Sequence, residues 1–190
     1  MIAAEQLLEL LMHGNQLKRT ARTGWAQRGV AAPEDVAAHS FGVIYTALLL
    51  LELAADPTLD RGAVLAMATL HDLPEGLTTD IPVPAWRFLP VGAKETAERQ
   101  ALAEIVGDAA FGPQWVAWWE EYRRNETAAA QLVHDADKLD QYLQAYIYER
   151  HTGNRQLAEF WRVAPRFHLA PAQAVYDELR RARAALMTAA

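Results

Sequence analysis

Two places in the 190-residue chain set an imidazole beside a carboxylate, His71-Asp72 and His134-Asp135. Neutral imidazole nitrogen and carboxylate oxygen together suit a divalent ion, which can keep further positions open for water and a substrate oxygen. The dipeptide alone is weak evidence, but address separates the two pairs. His71-Asp72 falls where a helix should break, because Pro74 pushes Leu73 out of helical geometry, and Glu75 and Asp80 bring more oxygen ligands close behind. His134-Asp135 lies mid-helix among ordinary helix formers. One dipeptide is too few ligands, so the rest have to come from elsewhere in the fold.

Composition narrows what the site can be. The chain has no cysteine, which removes disulfide frameworks, thiolate zinc sites, iron-sulfur clusters and cysteine nucleophiles together. Any metal is therefore held by His, Asp or Glu. Eighteen basic residues against 24 acidic ones give a net charge of -6, and no basic block offers an electrostatic footprint for a nucleic-acid polymer. A small anionic substrate could still meet a local positive pocket. The start, MIAAEQLLELLMHG, carries Glu5 and Glu9 within its apolar stretch and does not read as a signal peptide, so a cytoplasmic location is expected. The most apolar run, Phe41 to Leu51, is short of the roughly 20 residues that span a bilayer and reads as a buried helix, with no membrane partner.

The elements that position these groups should all be helical, since apolar residues recur three and four apart and alternating β-branched runs are nearly absent. A first helix from Ile2 should stop near His13-Gly14. A second should start at Pro33 and run to about Ala55, and a third should run from an Asp60 cap to Asp72. From Gly76 to Gly92 the prolines Pro82, Pro84 and Pro90 predict a long ordered loop or lid. Helices should resume at Ala93 to Val106 and Pro113 to Arg124, and Asn125 should cap a long one to about His151. A short helix near Gln156 and a last one from Pro171 complete a single-domain, all-α bundle of seven or eight helices. Trp115, Trp118, Trp119 and Tyr122 read as a core or subunit-interface stripe without chemistry, and His134 as an ordinary packed or solvated histidine.

The chain also resembles a known family, the HD-domain phosphohydrolases, and within it the branch of small 5'-deoxynucleotidases. That family's signature is a distant His, then His-Asp, then a distant Asp. The matching positions are His39 in PEDVAAHSFGV, His71 and Asp72 in ATLHDLPEGLTTD, and Asp137 in LVHDADKLDQYLQA. Likeness extends to LKRTARTGW at Leu17 to Trp25 and to LQAYIYE, so that it covers most of residues 16 to 150, with helices at 155–188 packing on that core. It selects Asp137 over His134 and Asp135. Two positions differ: Pro74 stands at a turn that is often not proline, and Thr79 where a glycine commonly precedes the aspartate.

The resemblance implies a metal-dependent phosphomonoesterase that hydrolyses (deoxy)nucleoside 5'-monophosphates with a metal-activated water. His39, His71, Asp72 and Asp137 would hold a divalent cation: manganese, cobalt, magnesium, iron or zinc. Glu75 would orient or deprotonate the water, or reach a second ion with Asp80 and the Ile81 carbonyl. Arg22 would clamp phosphate, Trp25 would pack against sugar or base, and Thr79 and Asp80 would touch the substrate beneath the lid. Family members are often dimers, so a homodimer is expected. Two alternatives stand beside this reading: the same site acting on a triphosphate, alarmone or cyclic nucleotide, and a non-catalytic helical regulator with a vestigial site.

Overall fold

The computed structural model describes residues 2–189. Ten α-helices occur among them: α1 (Ala4–Gln16), α2 (Thr23–Ala26), α3 (Val36–Ala54), α4 (Arg61–Leu70), α5 (Glu75–Thr78), α6 (Val83–Trp86), α7 (Ala93–Val106), α8 (Gly112–Arg124), α9 (Ala128–Thr152) and α10 (Ala170–Ala189). Two 3-10 segments, Leu17–Arg19 and Arg155–Trp161, complete the elements. The described residues form no sheet; one isolated bridge pairs Ala21 with Asp35. Seven helices have ten residues or more, which is the bundle the periodicity predicts, and three single-turn helices are added to it.

Capping chemistry sets the starts. Asp35 accepts from Ala38 N at 2.8 Å, Asp60 from Ala63 N at 3.1 Å and Thr127 from Ala130 N at 3.1 Å, each worth about 1 kcal/mol. These bonds correct two expected boundaries. The second long helix begins after Asp35 rather than at Pro33, and the longest one is capped by Thr127, while Asn125 takes the left-handed conformation that ends α8. The first helix also runs through Gly14 to Gln16. The proline-rich stretch is not one loop, because α5 and α6 lie within it.

The core lies where α3, α4, α9 and α10 meet, with Val43 and Leu50, Met67, Leu132 and Val133, and Tyr176 buried together. Ala47, Ala68, Ala130 and Ala136 are fully buried on three of these helices, and small side chains at a seam let helix axes approach closely. Close approach is what lets polar groups on three helices meet. The apolar run on α3 is only half as expected: its inner face is core, but Phe41, Tyr45, Leu49 and Leu53 are exposed. By length and composition alone, α3 is the one helix among the described residues able to cross a bilayer.

Candidate metal centre

Three helices deliver the four signature side chains to one point. α3 carries His39, the turn after α4 carries His71 and Asp72, and α9 carries Asp137. His39 Nε2 lies 3.4 Å from His71 Nε2, 3.6 Å from Asp72 Oδ2 and 3.3 Å from Asp137 Oδ1, and His71 Nε2 is 3.3 Å from Asp72 Oδ2. The break at Pro74 works as the sequence suggests: α4 stops at Leu70, and the turn aims both members of the dipeptide inward. His39 is fully buried and His71 nearly so.

The second nitrogen of each ring fixes what the first can do. His71 Nδ1 is 2.8 Å from the Ala68 carbonyl, which can only accept, so Nδ1 carries the proton and Nε2 presents a lone pair. His39 Nδ1 is 2.7 Å from Asp140 Oδ2 and donates to that carboxylate in the same way. The His71 lone pair and both carboxylates thus lie within 4 Å of His39 Nε2, a set rich in acceptors. Burial and the Arg22 cation disfavour a charged His39, yet Asp137 and Asp140 outweigh them and raise its pKa to about 10. Burial likewise opposes ionisation of Asp72 and Asp137, but His71, Arg22 and His39 hold Asp72, and His39 and His71 hold Asp137, well below the usual carboxylate range. A cluster that attracts a proton this strongly, built from imidazole and carboxylate, fits a divalent ion.

Asp140, not anticipated from the sequence, orients this centre. It sits one turn beyond Asp137 on α9 and reaches His39 because Gly42 leaves room: a Cβ at Gly42 would lie 2.0 Å from Asp140 Oδ1. Tyr122 also belongs to the site, contrary to the reading of its stripe as packing alone. Its hydroxyl donates to Asp137 Oδ2 at 3.0 Å. His134 stacks on the Tyr122 ring with centroids 4.2 Å apart and meets the Tyr122 carbonyl at 2.8 Å, so it steadies Tyr122 and not Asp137 itself. Trp119 donates to the His71 carbonyl at 3.2 Å.

Above the centre lies a cavity of about 210 Å³ whose wall includes Arg22, Trp25, Asp72, Glu75, Asp80, Ile81, Lys94, Arg123 and Asp137. Arg22 Nη1 is 3.3 Å from Asp72 Oδ2. Trp25, which lines the cavity, is almost wholly buried and donates to Glu34 at 2.9 Å. Glu75 is buried, its Oε2 has no hydrogen-bond partner, and burial followed by the charges of Asp72 and Asp80 pushes its pKa up to about 9. Asp80 Oδ2 accepts from Thr23 N at 2.7 Å, which leaves Oδ1 free of that bond. The Ile81 carbonyl accepts from Trp86 Nε1 at 2.8 Å, so one of its two lone pairs is already engaged.

Thr79 departs from its expected role. It is exposed and does not line the cavity. Its backbone has φ 61° and ψ 164°, a region that only glycine occupies without strain. The glycine expected there by resemblance is thus a backbone requirement, and Thr79 stores strain beside Asp80. Thr79→Gly should stabilise the protein by about 1 kcal/mol, seen as a higher midpoint in urea at unchanged slope; a lower midpoint would contradict the strained assignment.

Comparison with known proteins agrees with this geometry. A family model described as HD domain matches residues 14–175. The 5'-deoxynucleotidase HDDC2 of Danio rerio is 30% identical over 160 residues, covering 83% of this chain and 77% of its own. A conserved hypothetical protein of Pyrococcus furiosus superposes with a TM-score of 0.79 at 35% identity, over 92% of this chain and 99% of its own. A predicted metal-dependent phosphohydrolase of Magnetospirillum magnetotacticum gives a TM-score of 0.67 at 25% identity, over 97% and 98%.

Proposed function

The chain belongs to the HD-domain family, and on that premise we propose that it hydrolyses deoxynucleoside 5'-monophosphates to nucleoside and phosphate. The observation that carries this reading is the meeting of His39, His71, Asp72 and Asp137, of which Asp72 and Asp137 line a cavity that also holds Arg22 and Glu75. A divalent ion held by those four residues would supply Lewis acidity, lowering the pKa of a water and neutralising phosphate charge. The remaining work falls to the chain. Arg22 stays charged, because the acidic groups around it outweigh its burial, and its planar fork can grip two phosphate oxygens. Burial, Asp72 and Asp80 favour the protonated form of Glu75; a divalent ion bound beside it would favour the carboxylate, whose Oε2 could then orient the attacking water or take its proton. Asp80 Oδ1 offers an acceptor to a sugar hydroxyl, and Trp25 closes the wall behind the sugar.

A panel of mono-, di- and triphosphates, deoxy and ribo, with several divalent metals, tests the reading. Phosphate should be released from deoxynucleoside monophosphates, stop on addition of a chelator and return with metal. A wall such as Trp25 should disfavour a ribose 2'-hydroxyl by no more than about 100-fold. Preference for triphosphates, alarmones or cyclic nucleotides would move the chain to another substrate class, and no turnover with any metal would leave the regulatory reading.

The proposal includes a cytoplasmic homodimer without a membrane or nucleic-acid partner. Support for the dimer comes from Phe41, Tyr45, Leu49 and Leu53, exposed along the outer face of α3, where a second copy would remove them from water. Sedimentation velocity should show a dimer that Tyr45→Glu dissociates.

A further inference from the structure

The cavity poses an electrostatic problem that Arg22 alone does not solve. Four carboxylates, Asp72, Glu75, Asp80 and Asp137, line it, and Arg22 is already beside Asp72. A phosphate monoester arriving as a dianion needs further positive charge on the wall. α7 supplies it. Lys94 extends its ammonium to the cavity, 3.5 Å from Glu75 Oε1 and 5.4 Å from the centre of the Trp86 ring.

One turn further along α7, Glu98 is buried and pairs with Lys94. The same carboxylate faces Arg123 Nη1 at 4.0 Å. A buried carboxylate between two cations leaves a net positive charge, and burial of that anion makes the arrangement costly unless both cations stay. An ammonium has three N–H donors. Glu98 takes one, and Glu75 at 3.5 Å is beyond a normal hydrogen bond, so donor capacity remains for a group in the cavity.

We propose that Lys94 is a further substrate residue: its ammonium contacts the phosphate of the nucleotide, and Glu98 is the positioning residue that holds it there. This rests on the phosphomonoesterase reading above. It adds a phosphate contact from α7 to the one that Arg22 makes from the start of α2.

The test uses the metal-loaded full chain and two readouts: calorimetric binding of inorganic phosphate, which needs no turnover, and KM and kcat for a deoxynucleoside monophosphate. Lys94→Met, which keeps an unbranched side chain and removes the charge, should weaken phosphate binding and raise KM by about 10- to 100-fold, with a smaller change in kcat. Lys94→Arg should recover most of the loss. Glu98→Gln should weaken phosphate binding in the same direction but less, because Lys94 remains and only its anchor is gone. Unchanged phosphate binding in Lys94→Met, with only the pH profile of kcat displaced, would overturn the proposal and make Lys94 a counter-charge for Glu75. Wild-type protein that binds phosphate through Lys94 yet hydrolyses no nucleotide would overturn the functional reading instead.

Discussion

Asp72→Ala should abolish phosphate release, lowering kcat by about 10³-fold or more, while the helical circular dichroism should stay that of the wild type. The size follows from how many contacts converge on one oxygen. Asp72 Oδ2 is 3.3 Å from His71 Nε2, 3.6 Å from His39 Nε2 and 3.3 Å from Arg22 Nη1. Its loss would remove one of the four proposed ligands and the carboxylate beside Arg22, the proposed phosphate clamp. A bound ion contributes several kcal/mol of transition-state stabilisation, and each 1.36 kcal/mol is tenfold in rate, so losing about 4 kcal/mol gives the stated factor. The fold survives because Asp72 sits in a turn and its side chain caps no helix. Removing it also relieves repulsion with Asp137 and Glu75, which offsets the loss of Arg22. His71→Ala should do the same to activity. Either variant retaining a tenth of wild-type turnover would remove the dipeptide from the centre of the mechanism.

Of the four signature residues, His71 and Asp72 were legible from chemical type and address, whereas His39 and Asp137 lie inside ordinary helical stretches and were legible only through the resemblance. His71-Asp72 stands at a proline-broken end, and three-dimensional proximity to His39 and Asp137 was supplied by resemblance and not by periodicity. Residues that support them were hidden for a physical reason. Asp140, Lys94 and Glu98 all look like solvated charges on amphipathic helices, and only the packing of α3 on α9 or of α7 on the cavity gives them partners. Tyr122 was hidden in an aromatic stripe that is mostly core, as Trp119, fully buried, shows. The missed boundaries have a similar origin. Asn125 and Thr127 are both good cap residues two positions apart, and the choice was made by geometry: Asn125 tolerates the left-handed conformation that closes α8, leaving Thr127 to open α9.

Gly42 was a signal that could have been read. A glycine inside a long helix costs about 1 kcal/mol relative to alanine, so its presence three residues after His39 asks for a reason. The reason is Asp140. In Gly42→Ala the added Cβ would meet Asp140 at 2.0 Å from Oδ1, 2.7 Å from Cγ and 3.1 Å from Oδ2, contacts that a short carboxylate side chain relieves only by moving away. Moving breaks the 2.7 Å hydrogen bond to His39 Nδ1, and His39 loses the partner that sets its tautomer and ring orientation. Loss of such a supporting carboxylate costs about 10- to 100-fold in metal affinity or activity. Stability changes little by comparison, since the gain of about 1 kcal/mol in helix propensity opposes an overpacking cost of about 1–3 kcal/mol. Metal titration should therefore show weak binding in a protein that still unfolds cooperatively. Asp140→Asn, which keeps the shape and removes the charge, should weaken metal binding to a similar degree. A double-mutant cycle isolates the cause. With Asp140→Ala in place there is no carboxylate to displace, so adding Gly42→Ala should cost no further metal affinity and should raise stability by about the helix-propensity difference. An equal second loss of affinity in that background would show that alanine at position 42 harms the site by some route other than Asp140.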